Sequence, residues 1–197
     1  MNERPNLYLF FDTETTGLPR NWKAPITDLD NWPRMVQLAW MLCDEVGTEL
    51  AKQCRIVKPD GFTIPDKAAS VHGISTDRAM AEGVELKQAM DEFMAASDLA
   101  TRFVAHNIAF DEKIVGAECV RLKLPIPFVG KPMFCTMKES TQYCKIPGPY
   151  GPKWPSLTEL HTKLFGKAFE GAHDAMADVG ACKSAYYELK QRKVMEC

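Results

Sequence analysis

The stretch Asn6–Gly17, NLYLFFDTETTG, is the most informative starting point for predicting the architecture. Its apolar part is a run of β-favouring residues that ends in a threonine-rich turn, which predicts a strand buried on both faces in the middle of a sheet. Because side chains alternate along a strand, Asp12 and Glu14 should point to the same side at its carboxyl end. Two carboxylates so close repel each other, so this pattern predicts either a metal site or the polar start of a surface turn.

Composition narrows the class of protein. The length of 197 residues suits one domain, and we predict a single domain over residues 1–197. The 46% hydrophobic and 25% charged residues are ordinary globular values and argue against disordered and fibrous classes. No apolar run approaches the ~20 residues that cross a bilayer, so no membrane association is expected. The seven cysteines are odd in number and scattered, which favours reduced thiols and a cytoplasmic location.

The net charge of the whole chain does not favour binding to nucleic acid. The net charge is −2, because 24 basic residues are offset by 26 acidic ones. A polyanionic partner would therefore have to be held locally, by bound cations or a small basic rim. In the proline-rich loop 146–155, Lys153 and Trp154 are candidates for phosphate and base contacts, or for ordinary loop residues.

The remaining chain alternates between predicted strands and helices. Segments 35–43 and 50–57 flank a polar turn, which predicts a hairpin joined to the first strand. Before the hairpin, residues 18–33 read as a long loop in which Trp22 and Trp32 either pack onto the body or stack on a base. Further strands are expected at 101–105 and 133–137, and helices near 66–72, 82–96, 107–122 and 157–165 and from about 174 to 189.

Two of these helices carry an aspartate on the predicted apolar side, Asp111 in helix 107–122 and Asp178 in the last helix. A buried carboxylate is costly unless it is paired or coordinates a cation. For Asp111, a first-turn position that complements the helix dipole is the alternative. His173 lies five residues before Asp178, about 140° away on a regular helix. We therefore place His173 on the preceding loop, where it either folds over the site or remains in solvent.

Three segments, FDTETTGL, AHNIAFD and HDAMAD, resemble in order, type and spacing the motifs of the DEDDh group of 3′ to 5′ exonucleases. This DnaQ-like group is typified by the proofreading subunit of bacterial replicative DNA polymerase. VHGIS and KWPSLTELHTKLFG are also similar to family sequence, so the resemblance spans nearly the whole chain. It implies an α/β, ribonuclease H-like fold with a five-stranded mixed sheet and helices on both faces.

The same resemblance implies a site for two Mg²⁺ or Mn²⁺ ions, which oxygen ligands suit. Asp12 would bridge the two ions. Glu14 and Asp178 would complete the first ion, and Asp111 would support the second. His173 would be the general base, because an imidazole can take a proton from water at neutral pH. The residues that match the family's nucleotide pocket are Thr13, Thr15, Thr16, His72, Asn107 and Phe110.

The resemblance thus implies a metal-dependent 3′ to 5′ exonuclease that releases nucleoside monophosphates from the 3′ end of nucleic acid, with single-stranded DNA favoured. A DNA polymerase subunit is a candidate partner. The alternatives are an exoribonuclease of the same family and a non-catalytic nucleic-acid-binding polymerase accessory module. Two features depart from the family. Lys67 stands where members often carry an acid that contacts the terminal 3′-hydroxyl, and the loop 18–33 is longer than in compact members.

Overall fold

The structure, a computed structural model, describes residues 5–195, so Cys197 and both ends of the predicted 1–197 domain lie outside the described residues. The strands are β1 (Tyr8–Thr15), β2 (Met35–Cys43), β3 (Glu49–Ile56), β4 (Arg102–Ala105), β5 (Met133–Cys135), β6 (Pro147–Gly148) and β7 (Gly151–Pro152). The helices are α1 (Asp66–His72), α2 (Thr76–Glu82), α3 (Leu86–Leu99), α4 (Ile108–Leu122), α5 (Thr136–Glu139), α6 (Thr141–Cys144), α7 (Leu157–Phe165) and α8 (Ala175–Gln191).

Strand β1 lies in the middle of a five-stranded sheet with the order β3-β2-β1-β4-β5. It is antiparallel to β2 and parallel to β4, so the sheet is mixed. The predicted hairpin is confirmed as β2 and β3, with β3 at the edge of the sheet. The apolar run of β1 takes the central position because its side chains are buried on both faces.

Helices cover both faces of the sheet, and the two layers follow from the alternation of side chains in β1. Leu9 and Phe11 pack into the layer that includes α3 and α4, whereas Tyr8 and Phe10 pack into the layer that includes α7 and α8. The ring of Phe11 is central to the first layer and lies 5.5 to 6.1 Å from three other phenylalanine rings. The predicted ribonuclease H-like fold class is confirmed.

Several helix ends form where the sequence predicts them. Gly73 and Gly166 follow α1 and α7 with φ angles of 73° and 76°, a left-handed conformation that glycine adopts without strain. Ser156 and Glu159 form a capping box at the start of α7. The side chain of Asp174 accepts a hydrogen bond from the Ala177 backbone N–H, which fixes the first turn of α8.

The region between α1 and α3 differs from the prediction. Helix α2 was not predicted, although Ser75 marks its start by accepting a hydrogen bond from the Arg78 backbone N–H. The helix predicted from about residue 82 begins instead at Leu86. The reason is that Gly83 is extended and Val84 pairs with Val57, which stops the chain from continuing as one helix.

The strand predicted over residues 133–137 is also shorter in the structure. It ends at Cys135, because Thr136 is the first residue of the short helix α5. The six cysteines within residues 5–195 are free thiols. In the same range, none of the helices combines the length and the apolar character that membrane crossing requires.

The long loop 18–33 packs onto α4. Trp32 is buried, and its indole N–H donates a hydrogen bond to the Pro25 carbonyl (2.9 Å). From α4, the Arg121 guanidinium donates to the carbonyls of Leu29 and Trp32. Trp32 is therefore a packing residue. Trp22 remains half exposed, and its ring lies 5.7 Å from the ring of Phe110.

Candidate active site

The centre of the site is the carboxyl end of β1, where Asp12 and Glu14 follow Phe10 along the face covered by α8. Both carboxylates are half-buried. On the neighbouring antiparallel strand β2, the buried Gln37 pairs with Glu14, and its side-chain oxygen accepts a hydrogen bond from the Ala175 backbone N–H (3.3 Å). Ala175 is the first residue of α8. Gln37 therefore joins the start of α8 to the end of β1.

Asp111 reaches the site from the first turn of α4 and is 3% exposed. Its Oδ1 atom accepts two hydrogen bonds from Thr13, one from the backbone N–H (3.0 Å) and one from the hydroxyl (2.8 Å). Asn107 precedes the helix with φ of 69°, a left-handed conformation that is uncommon outside glycine. Asp111 is thus buried against the end of β1 and is not a surface residue that only complements the helix dipole.

Asp178 and His173 come from the start of α8. The Oδ2 atom of Asp178 accepts a hydrogen bond from the His173 backbone N–H (3.3 Å). Its Oδ1 atom is buried and has no hydrogen-bond partner among residues 5–195. His173 lies on the loop before the helix, with φ of 71° and an exposed side chain. Each of Glu14, His173 and Asp178 has a side-chain oxygen or nitrogen that could bind a metal ion, and these three atoms lie within 4.8 Å of one another.

Burial and mutual repulsion raise the pKa values of all four carboxylates. Burial, followed by repulsion from Asp111 and Asp178, raises the pKa of Asp12 well above its ordinary range. Burial raises the pKa of Glu14 to about 8, and Asp178 and Asp111 add to the effect. Burial also raises the pKa of Asp111 to about 7 and that of Asp178 to about 6.

This donor set fits divalent cations. Four carboxylates from β1, α4 and α8 share one volume, and the buried Oδ1 of Asp178 lacks a partner within the described chain. A cation there would offset the repulsion that raises the pKa values. Oxygen donors are typical of sites for hard cations such as Mg²⁺ and Mn²⁺.

A cavity of about 390 Å³, hereafter the catalytic cavity, opens over these groups. His106, which sequence reasoning missed, is part of its wall. Its Nε2 atom donates to the Pro155 carbonyl (3.0 Å) and its Nδ1 atom accepts from the Thr136 hydroxyl (3.0 Å). Burial lowers the pKa of His106 to about 4, so the ring is neutral at pH 7. The signal that could have revealed it is its position directly after strand β4. The cavity is lined by Asp12, Thr13, Glu14, His106, Asn107, Phe110, Asp111, Met137, Pro155, Ser156, Leu157, His173 and Asp178.

A second cavity, of about 550 Å³, shares Thr13, Glu14 and Phe110 with the catalytic cavity. We call it the side cavity. It lies between the end of β1 and helix α1. Five of the six predicted nucleotide-pocket residues line it, and the sixth, Asn107, lines the catalytic cavity. The side-cavity lining is Thr13, Glu14, Thr15, Thr16, Gly17, Leu18, Pro65, Lys67, Ala68, Val71, His72 and Phe110.

The threonine hydroxyls of the predicted nucleotide pocket already have partners within the chain. The hydroxyl of Thr13 donates to Asp111, and that of Thr15 donates to the Gly17 carbonyl (2.7 Å). The Thr16 hydroxyl oxygen accepts from the Arg34 backbone N–H (3.0 Å). These contacts shape the end of β1, and direct contacts of the three threonines with substrate stay a prediction.

In the loop before α7, Lys153 is held by an ion pair, whereas the side chain of Trp154 is exposed. The Lys153 ammonium donates to the Glu159 carboxylate (2.7 Å), so this lysine is engaged in an ion pair at the capping box. Trp154 is 61% exposed beside Pro155, a residue of the catalytic cavity wall. A stacking role is therefore sterically open to Trp154, whereas Lys153 would have to leave its partner to contact phosphate.

The sequence of this chain matches the model of one protein family. The RNase_T family model, described as exonuclease, matches residues 9–186. No curated protein sequence matches this chain.

Solved structures show the same fold at low sequence identity. Escherichia coli Exonuclease I in complex with a dT13 oligonucleotide has a TM-score of 0.75 and 22% identity, covering 95% of this chain and 42% of that chain. The zinc-bound form of the E. coli Exonuclease I complex with single-stranded DNA has a TM-score of 0.76 and 22% identity, covering 95% and 41%. The complex with a dA16 oligonucleotide has a TM-score of 0.73 and 21% identity, covering 95% and 41%. This chain therefore spans less than half the length of these solved chains. Because the family model covers most of the sequence, from the middle of β1 into α8, the chain belongs to the exonuclease family.

Proposed function

We propose that this chain is a 3′ to 5′ exonuclease that removes nucleotides from the end of single-stranded DNA with the help of bound Mg²⁺ or Mn²⁺. The observation that carries the proposal is the convergence of Asp12, Glu14, Asp111 and Asp178 on one cavity beside the exposed His173. Family membership supports the reaction class. The oligonucleotide complexes of E. coli Exonuclease I, whose fold is similar, support single-stranded DNA as substrate.

The four carboxylates would hold the metal ions. Asp12 has the other acids around it and would bridge two ions. Glu14 and Asp178 would complete the first ion, and Asp111, fixed by Thr13, would support the second. When bound, such ions neutralise the acids and polarise the phosphate that is attacked.

His173 would act as the general base that takes a proton from the attacking water. Its backbone is held by Asp178, and its imidazole lies within 4.8 Å of ligand atoms of Glu14 and Asp178. An exposed imidazole beside the acids is placed to take up that proton. His106 is unsuited to this role, because both of its ring nitrogens are hydrogen-bonded and burial lowers its pKa to about 4.

The two cavities would divide the substrate between them. The scissile phosphate would lie in the catalytic cavity, among the acids and His173. The terminal nucleoside would enter the side cavity, whose volume is in the range of small-molecule sites. Phe110 borders both cavities and offers a ring on which a base can stack.

The direct test uses 3′-labelled single-stranded DNA with Mg²⁺, with and without chelator. We expect wild type to release labelled nucleotide only without chelator, and Asp12→Ala to lose this activity. Asp98→Ala, which removes an exposed aspartate on α3, is the matched control and should retain it. Absence of release by wild type, or equal release by Asp12→Ala, would contradict the proposal. Matched RNA oligomers distinguish the exoribonuclease alternative, because faster RNA degradation would make RNA the substrate.

Three narrower parts of the proposal come from the sequence. A non-catalytic accessory module predicts no strong divalent site, so calorimetric titration with Mn²⁺ separates it from an enzyme. The DnaQ-like resemblance extends the proposal to a DNA polymerase partner, which co-purification from native cells would test. A single domain and a cytoplasmic location also remain proposals, the second based on the scattered cysteines.

A further inference from the structure

The side cavity contains one cation that has no role in the proposed hydrolysis. Lys67 lies in the first turn of α1 and lines this cavity, but it does not line the catalytic cavity. Its side chain is exposed, and within residues 5–195 its ammonium forms no ion pair. Among residues 5–195, the only acid in the lining is Glu14, at the end shared with the catalytic cavity.

His72 lines the same cavity but is not a second cation. It is 9% exposed, and its Nδ1 atom accepts a hydrogen bond from the Ile74 backbone N–H (3.2 Å). The neutral ring therefore carries its proton on Nε2. This N–H is buried beside the Thr15 carbonyl, so it faces the chain and not the cavity. Lys67 is therefore the residue of this wall that can contribute positive charge to a ligand.

The rest of the lining is mostly apolar. Leu18, Pro65, Ala68, Val71 and Phe110 supply surfaces suited to a base and a sugar. A terminal nucleoside placed here, with its 5′-phosphate in the catalytic cavity, has its 3′-oxygen as the remaining position that can carry an anion in DNA. The unpaired ammonium of Lys67 therefore matches a phosphate at that position.

We propose that Lys67 adapts the side cavity to strands that end in a 3′-phosphate. The inference rests on the proposed exonuclease function and specifies its substrate. A water oxygen bonds to the phosphorus of the last internucleotide linkage, and the bond from that phosphorus to the 3′-oxygen of the penultimate nucleotide breaks. This oxygen takes up a proton and becomes a 3′-hydroxyl. The terminal phosphate passes through unchanged, so the first product is a nucleoside 3′,5′-bisphosphate.

Calorimetry with two mononucleotides tests the binding step without requiring turnover. In Mg²⁺ buffer, we expect wild type to bind thymidine 3′,5′-bisphosphate ~10-fold more tightly than thymidine 5′-monophosphate, because a charge-assisted contact is added. Lys67→Glu should abolish this preference and Lys67→Arg should keep it. The matched control is Lys167→Glu, which makes the same charge change at an exposed residue that lines neither cavity. Equal affinities in wild type, or a preference that survives in Lys67→Glu, would overturn the assignment.

Two oligonucleotides of one sequence, ending in a 3′-phosphate or a 3′-hydroxyl, test the substrate. We expect wild type to release bisphosphate as the first product from the phosphate end. Its rate on this strand should be at least equal to its rate on the hydroxyl end. The ratio of the first rate to the second should be ~10-fold lower in Lys67→Glu. Resistance of the phosphate end while the hydroxyl end is degraded would overturn the inference and leave the exonuclease proposal standing. A chain that degrades neither strand, yet prefers the bisphosphate, would contradict the exonuclease proposal and support the phosphate site.

Discussion

His173 is positioned through its backbone. The Asp178 carboxylate accepts its N–H, and the preceding turn contains Gly171 with φ of 78°. The Cβ atom that another residue would add at Gly171 would lie 3.1 Å from the Ala177 side chain, in a backbone conformation that only glycine adopts easily. The imidazole is exposed beside Glu14 and Asp178, so a general base at this position would have room to exchange a proton with solvent.

Replacing this imidazole should affect chemistry more than metal affinity. We expect His173→Ala to lower turnover by ~10² to 10⁴-fold, the usual contribution of a general base. His161→Ala removes the same side chain from α7, outside both cavities, and should retain activity. Steady-state kinetics and Mn²⁺ calorimetry together provide the check. A comparable loss of Mn²⁺ affinity in His173→Ala would indicate a metal ligand instead.

Glu14 should destabilise the metal-free fold at alkaline pH. Burial raises its pKa from an ordinary 4.5 to about 8, so the folded state binds more protons than the unfolded state between these values. The stability that this group contributes is therefore present below about pH 4 and is lost as the pH rises through about 8. Metal-free Glu14→Gln should melt higher than wild type at pH 8. Solvent screening at this half-buried carboxylate limits the difference to about 1 kcal/mol, or roughly 3 °C.

Melting curves of both proteins from pH 4.5 to 8.5 in chelator measure this difference. The difference should disappear as the pH approaches 4.5, because the Glu14 carboxyl of wild type is then increasingly protonated in the unfolded state as well as in the folded state. Glu139→Gln, an exposed substitution on α5, should follow wild type throughout. A difference in melting temperature that widens toward acidic pH would contradict a raised pKa of Glu14 in the folded state.

Polar residues were predictable where they interrupt an apolar pattern. Asp111 stands out in a helix stripe, and the structure places it against β1 as that pattern indicates. His106 does not interrupt such a pattern. Gln37 does interrupt the apolar run of β2, but the sequence does not show its partner, which lies far away in the chain. Gln37 contacts Ala175, which is 138 residues later. Local periodicity contains no information about such contacts.

At the scale of elements, the loop 18–33 is joined to α4 and β2 by a buried charge cluster. Glu118 on α4 is completely buried, and its Oε1 atom accepts from the Met35 backbone N–H and the Arg34 guanidinium (3.0 and 3.1 Å). Arg121 lies 3.2 Å from the same oxygen and donates to two carbonyls of the loop. The loop therefore presents Trp22 beside Phe110 from a fixed base.

Removing the buried acid should loosen this loop and the fold together. We expect Glu118→Ala to lower the free energy of unfolding by ~3 kcal/mol, because the Arg34 guanidinium and the Met35 N–H lose their common acceptor and Arg121 loses its ion-pair partner. Urea denaturation gives the value. Glu112→Ala, on the same helix but only partly buried, should change it by less than ~0.5 kcal/mol. A value for Glu118→Ala as small as that of the control would mean that the cluster does not hold the loop.

Elements with strong local signals were predictable, and errors arose where a contact between distant residues overrides the local pattern. Apolar runs fixed the identity of β1 and β2, and caps fixed the ends of α7 and the start of α8. The error at α2 arose where Val84 forms a long-range bridge with Val57 between two helical segments. Helical periodicity alone cannot reveal that a single residue pairs with a strand end.

For the whole molecule, metal binding and folding should be coupled. The acids of the site come from β1, α4 and α8, so they converge only in the folded chain. We expect Mn²⁺ at 100 times its dissociation constant to add about 2.7 kcal/mol to the free energy of unfolding, which corresponds to about 5 to 10 °C in melting temperature. Calorimetric melts at pH 8 measure the shift. Asp12→Asn should reduce it strongly, and an undiminished shift in that variant would place the metal elsewhere.

The global architecture was predictable because one central strand specifies it. Burial on both faces of β1 predicts helices on both sides, and the order of the three motifs implies the connections. The two cavities were beyond such reasoning. Their walls combine residues from the end of β1, α1 and the start of α7. The resemblance places Lys67 near the terminal 3′-hydroxyl, but only the folded chain shows the extent of the cavities and that His106 lines one of them.

The distribution of the acids along the chain also has a consequence for biosynthesis. Asp12 and Glu14 leave the ribosome before Asp178, which belongs to α8, a helix that packs against β1. Until α8 has emerged and docked, the nascent polypeptide would lack one of the proposed metal ligands and the proposed general base. The proposed site would therefore be completed during synthesis only by the docking of α8 on β1.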